Sequence, residues 1–162
     1  EYNVLRDIHS IDFRDDCLYE IKVRGYIPVI AHIERYFHEG LDYSIIDSWV
    51  DMGCVLQLNR TSILGVNGKT IQANALELLD NGYCDLICTD THRASGNRIE
   101  KLSDVYSVVS KRIGSENADI LLYENPKRIL KDMDILDIDV EKKKNYLVSL
   151  GDKNGKEKEK SI

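Results

Sequence analysis

GYIPVIAHIERY, residues 25–36, runs from a glycine through an apolar segment into His32, Glu34 and Arg35. CDLICTDTHR, residues 84–93, repeats the pattern, passing from apolar residues into Asp90, His92 and Arg93. A short apolar run bounded by glycine and polar residues reads as a buried strand. CVLQLN (54–59) reads the same way. Around these runs the helical period returns. DDCLYEIKVR (15–24) places Leu18, Ile21 and Cys17 on one face before Gly25, and DYSIIDSWVDMG (42–53) turns Ile45, Ile46, Trp49 and Val50 inward with Gly53 at its end. KTIQANALELLDNG (69–82) is a helix closed by Gly82, and EKLSDVYSVVSKRIG (100–114) and ENADILLYENPKRILKDM (116–133) add two more. Strand and helix thus alternate three times. Such alternation implies βαβ units, hence an α/β fold with a parallel sheet or barrel whose site lies at the carboxyl ends of the strands.

The 162 residues suffice for one domain with a real core. From about residue 139 the text becomes DVEKKKNYLVSLGDKNGKEKEKSI, charged and poor in apolar residues, so a folded region over 1–138 and a solvated tail over 139–162 are expected. The net charge of −6 argues against a nucleic-acid surface, which needs clustered Lys and Arg on the folded part. No apolar run is long enough to span a bilayer, so no membrane insertion is expected, and no signal peptide is read at the start. Cys17, Cys54, Cys84 and Cys88 lack metal or disulfide spacing and fit buried thiols in a reducing cytoplasm.

The chemistry concentrates where the strands end. In an extended chain residues i and i+2 point the same way, so Asp90 and His92 are expected to project together. With His32 they form a nitrogen and oxygen donor set suited to Mn²⁺, Fe or Zn²⁺. An arginine beside such a set suggests a phosphoryl substrate, because a guanidinium matches phosphate with two parallel hydrogen bonds. Arg35 and Arg98 are the candidates, with Arg93 competing for the second place.

Three other patterns carry less. Cys54 and Arg60 have the C-x5-R spacing of cysteine-dependent phosphatases, but VLQLN between them is strand-like, lacks glycine and cannot curl into an anion nest. GVNGKT (65–70) lacks the first glycine of a Walker loop, since Ile63 stands there, and reads as a turn and helix start. His38 reads as a surface residue.

GYIPVIAHIERY, GCVLQLNRTSILG, ICTDTH and ENPKRIL occur in this order over residues 1–131, and together they resemble the PHP-type manganese-dependent protein tyrosine phosphatases of Gram-positive capsule and exopolysaccharide operons. The resemblance covers the second half of such an enzyme. It implies the C-terminal half of a distorted (β/α) TIM-like barrel, bound Mn²⁺, and dephosphorylation of the tyrosine-rich tail of a cognate tyrosine kinase. Carried across, His32, Asp90 and His92 match metal-binding positions, Glu1 matches a bridging glutamate, and Arg35 and Arg98 match phosphate-binding arginines; His92 could also assist proton transfer. The family's Asp-x-His-x-His strand has no counterpart here. RDIHSI (6–11) imitates its first three letters through Asp7 and His9, but stands too close to His32 to be that strand. Two further readings stay open: a catalytically incomplete remnant or fragment that binds the kinase without turnover, and a PHP phosphoesterase acting on a small phosphorylated metabolite. A half barrel leaves strand edges open, so either a missing N-terminal half or association with another copy is expected.

Overall fold

The computed structural model describes residues 11–91 and 101–140. Its elements, in order, are α1 (Ile11–Val23), β1 (Val29–Ile30), a 3-10 turn (Ile33–Arg35), α2 (Tyr43–Asp51), β2 (Val55–Asn59), α3 (Arg60–Ile63), α4 (Lys69–Asp80), β3 (Leu86–Cys88), α5 (Ser103–Ile113), α6 (Ser115–Asp119), a π-turn (Ile120–Glu124) and α7 (Asn125–Ile129). The strands form one parallel sheet in the order β1-β2-β3. Val29 lies opposite Val55, and Leu58 opposite Ile87. Mixed helix and parallel sheet, the α/β class, is therefore the observed architecture.

β2 is the centre, and all five of its residues are buried. Leu56 and Leu58 join a core built from Ile33, Ile46, Trp49, Leu78, Leu79, Ile87, Val105, Val109 and Leu121. Helical periodicity sets these contributions: α2 buries Ile46 and Trp49, while Ile45 and Val50 pack against the core from its margin. Asp42 caps α2 by accepting hydrogen bonds from the Ser44 N–H (3.0 Å) and the Ile45 N–H (3.4 Å). The helices end where the glycines forecast. Gly25, Gly53 and Gly82 all sit at positive φ, a conformation that costs a side chain but not glycine.

Three expectations need correction. The strand read over YIPVIAH shortens to Val29–Ile30, because the chain turns left-handed at His32, and the strand read over CDLICTDTH ends at Cys88. A four-residue helix, α3, follows β2 directly where none was read. The last long helix is interrupted by the π-turn at Ile120–Glu124. Asp139, the first residue of the expected tail, is held by Asn117: its N–H donates to Asn117 Oδ1 (2.9 Å). Glu1, Asp7, His9, His92, Arg93, Arg98 and tail residues 141–162 lie outside the described residues.

Tyr26, Ile27 and Val29 are exposed beside β1, and Tyr19 and Val23 are exposed on α1. The four cysteines form no disulfide, Cys54 and Cys84 being buried and Cys17 and Cys88 half-buried. Among the described residues no helix is long and apolar enough to cross a membrane.

Candidate active site

The carboxyl ends of β1, β2 and β3 gather His32, Glu34, Arg35, Asn59, Thr61 and Asp90. His32 (φ 45°, ψ 47°) and Asp90 (φ 53°) adopt the left-handed conformation; Asp132 is the third non-glycine residue to do so among those described. The conformation costs on the order of 1 kcal/mol per residue and persists only where surrounding bonds hold it. It also ends the extended geometry before Asp90; the expectation that residues 90 and 92 project together involves His92, which lies outside the described residues.

His32 leaves β1 with its N–H donated to Gln57 Oε1 (2.9 Å), and its ring lies 5.7 Å from that of Tyr36. The 3-10 turn that follows is fixed from α4, where buried Asn74 donates through Nδ2 to the carbonyls of Glu34 (3.2 Å) and Phe37 (2.8 Å). This turn aims Arg35 across the sheet end. Its Nη1 lies 3.7 Å from Asp90 Oδ2 and its Nη2 lies 3.5 Å from Thr61 Oγ1. Asp90 Oδ2 also accepts from Asn59 Nδ2 (3.2 Å). Arginine and aspartate from the two strand ends singled out in the sequence are thereby brought within 4 Å.

Glu34 is fully buried, and Arg35 Nε lies 3.8 Å from its Oε1. Burial pushes the Glu34 carboxyl above the usual carboxylate range, against opposing contributions from Ser62, its own backbone, Arg35 and Asn59. Glu34 Oε2 and Arg35 Nε are buried without a hydrogen-bond partner among the described residues. Such groups are rare in a protein interior.

His32 and Asp90 supply one nitrogen and one oxygen donor of the kind that Mn²⁺, Fe or Zn²⁺ accept. Among the described residues no group of three or more His, Cys, Asp or Glu side chains is arranged to hold a metal ion, so these two fit as part of a donor set. The C-x5-R pattern fails on geometry. Cys54 is buried at the foot of β2, a fully buried strand separates it from Arg60, and Arg60 is bound to Asp104 through Nε–Oδ1 (2.8 Å) and Nη2–Oδ2 (2.5 Å). His38 is exposed, and Gly68 precedes α4 as its N-cap. Gln57, Asn59 and Asn74 were not singled out by sequence reasoning. Their signal was present as amides inside otherwise apolar runs, which a buried parallel strand or helix face seldom carries without a partner.

Similar proteins are known over the same span of the chain. The chain is 28% identical over 127 residues to the tyrosine-protein phosphatase YwqE of Bacillus subtilis, covering 78% of this chain and 49% of the relative. It is 28% identical over 120 residues to the tyrosine-protein phosphatase CpsB of Streptococcus pneumoniae, covering 71% and 49%. A crystal structure from a set comprising YwqE from Bacillus subtilis and CpsB from Streptococcus pneumoniae, described as metal-dependent tyrosine phosphatases, matches with a TM-score of 0.69 at 27% identity, over 80% of this chain and 52% of its own. The chain therefore spans about half the length of these relatives. The family of capsular polysaccharide synthesis proteins CpsB/CapC matches residues 1–131, and the chain belongs to it.

Proposed function

We propose that this chain is the second half of a metal-dependent phosphatase that hydrolyses phosphotyrosine on a cognate bacterial tyrosine kinase and so regulates capsule or exopolysaccharide synthesis in the cytoplasm. The observation that carries the reading is Arg35, poised 3.7 Å from Asp90 across the sheet end with its buried Nε unbonded among the described residues. The three-stranded parallel sheet corresponds in this reading to half of a distorted (β/α) TIM-like barrel over residues 1–138. Exposed Tyr26, Ile27 and Val29 beside β1 suit an edge at which further chain, or another copy, continues the sheet.

His32, Asp90, His92 and Glu1 would hold Mn²⁺, with Fe or Zn²⁺ suited to the same donors. A bound metal would supply Lewis acidity toward the phosphate and an activated water. Arg35 pairs with the equatorial phosphate oxygens and offsets the charge that develops on them, with Arg98 assisting. Whichever of His92 and His32 is not taken up by metal assists proton transfer to the departing tyrosinate. Glu34, buried beside Arg35 with its carboxyl pushed above the usual carboxylate range, stands behind the guanidinium at 3.8 Å.

A second reading, binding of the phosphorylated kinase tail without turnover, follows from the chain spanning about half the length of these relatives. Assay of the chain with a phosphotyrosine peptide and with a sugar phosphate separates the possibilities. Phosphate release from the peptide with Mn²⁺, abolished by chelation and indifferent to thiol alkylation, is the expected result. Peptide binding without release selects the second reading, and preference for the sugar phosphate overturns the substrate.

A further inference from the structure

The central strand β2 carries two amides, Gln57 and Asn59, in a segment buried on both sides (6% and 1% exposed). Burying a carboxamide is costly unless each of its polar atoms finds a partner, and the partners here run in one direction across the sheet. Gln57 Oε1 accepts from the His32 N–H at the end of β1 (2.9 Å). Gln57 Nε2 donates to Asn59 Oδ1 (2.7 Å) and to the Leu58 carbonyl. Asn59 Nδ2 donates to Asp90 Oδ2 beyond the end of β3 (3.2 Å).

The orientation of this ladder follows from its two ends. A main-chain N–H can only donate, so it requires the oxygen of Gln57, and that leaves Nε2 to donate to Asn59. Asn59 must then accept with Oδ1 and present Nδ2 to the accepting oxygen Asp90 Oδ2. Turning either amide round sets like against like at both of its contacts. Only side chains bearing an uncharged donor and acceptor on one carbon satisfy both positions, and the two-residue spacing puts them on one face of the strand. The residues at the two ends, His32 and Asp90, are the two strained residues of the site, so the ladder joins the points where strain must be held.

We infer that Gln57 and Asn59 are positioning residues that set His32 and Asp90 at a fixed separation by a hydrogen-bond ladder through β2. The consequence for metal binding rests on the metal reading above; the ladder itself does not.

The test uses the 162-residue chain, labelled with nitrogen-15, and two measurements: exchange of the His32 amide relative to that of Leu78 in the core, and affinity for Mn²⁺ alone. Asn59→Leu, close in shape and unable to hydrogen-bond, is expected to speed His32 exchange about tenfold relative to Leu78, although residue 59 does not touch that amide. It is also expected to weaken Mn²⁺ binding about 10- to 100-fold, the range typical for partners behind metal ligands. Leu58→Val, on the opposite face of the same strand, is the control for general loosening and should leave both ratios unchanged. If Asn59→Leu does not fold, Gln57→Glu replaces it: the acceptor for His32 is kept, the Asn59 amide is turned round, and Mn²⁺ weakens while His32 stays protected. Unchanged relative exchange in Asn59→Leu, or a change matched by Leu58→Val, overturns the ladder; unchanged Mn²⁺ affinity in either amide variant overturns its role toward metal. Failure of the unsubstituted chain to bind Mn²⁺ overturns the metal reading instead, and His32 exchange still decides the ladder.

Discussion

Arg35 and Arg60 stand just past neighbouring strand ends and are used in opposite ways. Arg60 opens α3 with its side chain 8% exposed and grips Asp104 of α5 through both carboxylate oxygens, at 2.8 Å and 2.5 Å. Arg35 touches Glu34, Asp90 and Thr61 only at 3.8, 3.7 and 3.5 Å, at or beyond the outer limit of a hydrogen bond. One guanidinium is committed to tying β2 to α5. The other has neighbours at the edge of hydrogen-bond reach, which is what the anion-binding role proposed for it requires. Residue type and position after a strand therefore do not separate the two arginines; the state of their donors does.

That contrast can be broken by substitution, and the largest effect should fall on turnover. Arg35→Lys should lower phosphate release from a phosphotyrosine peptide about 10²-fold, or about 3 kcal/mol of barrier, because a point charge cannot reproduce the two-pronged match. Its thermal midpoint should barely move, and a clear drop in stability with normal turnover would reverse the roles assigned to the two arginines. Arg60→Met keeps most of the buried stem but strands Asp104, and should cost about 2 kcal/mol in urea unfolding. A variant as stable as the parent would show that this pair is no strut.

The smaller effects sharpen the same division. Arg60 holds the Asp104 carboxyl at about 2, below its ordinary value of 3.8. A depressed carboxyl stabilises the fold fully above about pH 4 and loses that contribution as pH falls toward 2. The Asp104 side chain is 30% exposed, so with solvent screening the contribution is about 1 kcal/mol, visible as a flatter acid limb of stability in Asp104→Asn. An acid limb unaltered by the substitution would remove Asp104 from the account. Least of all, Thr61→Val deletes the distant partner of Arg35 and the acceptor of the Asn67 Nδ2 hydrogen bond (3.3 Å) and should cost about 1 kcal/mol, nearly all of it from Asn67 and matched by Asn67→Ala in the same unfolding curves. A cost several times larger would mean that Arg35 is anchored after all.

Helix periods, terminal glycines and the strand-helix alternation were readable because each depends on residues within a few positions of one another. The carboxyl-end placement of His32, Arg35 and Asp90 was readable for the same reason, since apolar runs leading into polar residues mark strand ends in a parallel sheet. Strand lengths were not. The left-handed turns at His32 and Asp90 are held by Gln57 and Asn59 from β2, and no local pattern announces them. Asn74 escaped notice too, because the carbonyls it binds are 40 and 37 residues away.

The class of the fold and the ends of its strands thus follow from local order along the chain: burial of an apolar face needs only a period, and a helix stop needs only a glycine. Which arginine keeps its donors depends on Asp104, 44 residues from Arg60, and on three groups that approach Arg35 without bonding it closely. Saturation of a polar group is a property of everything packed around it, and that is settled when the helices close on the sheet.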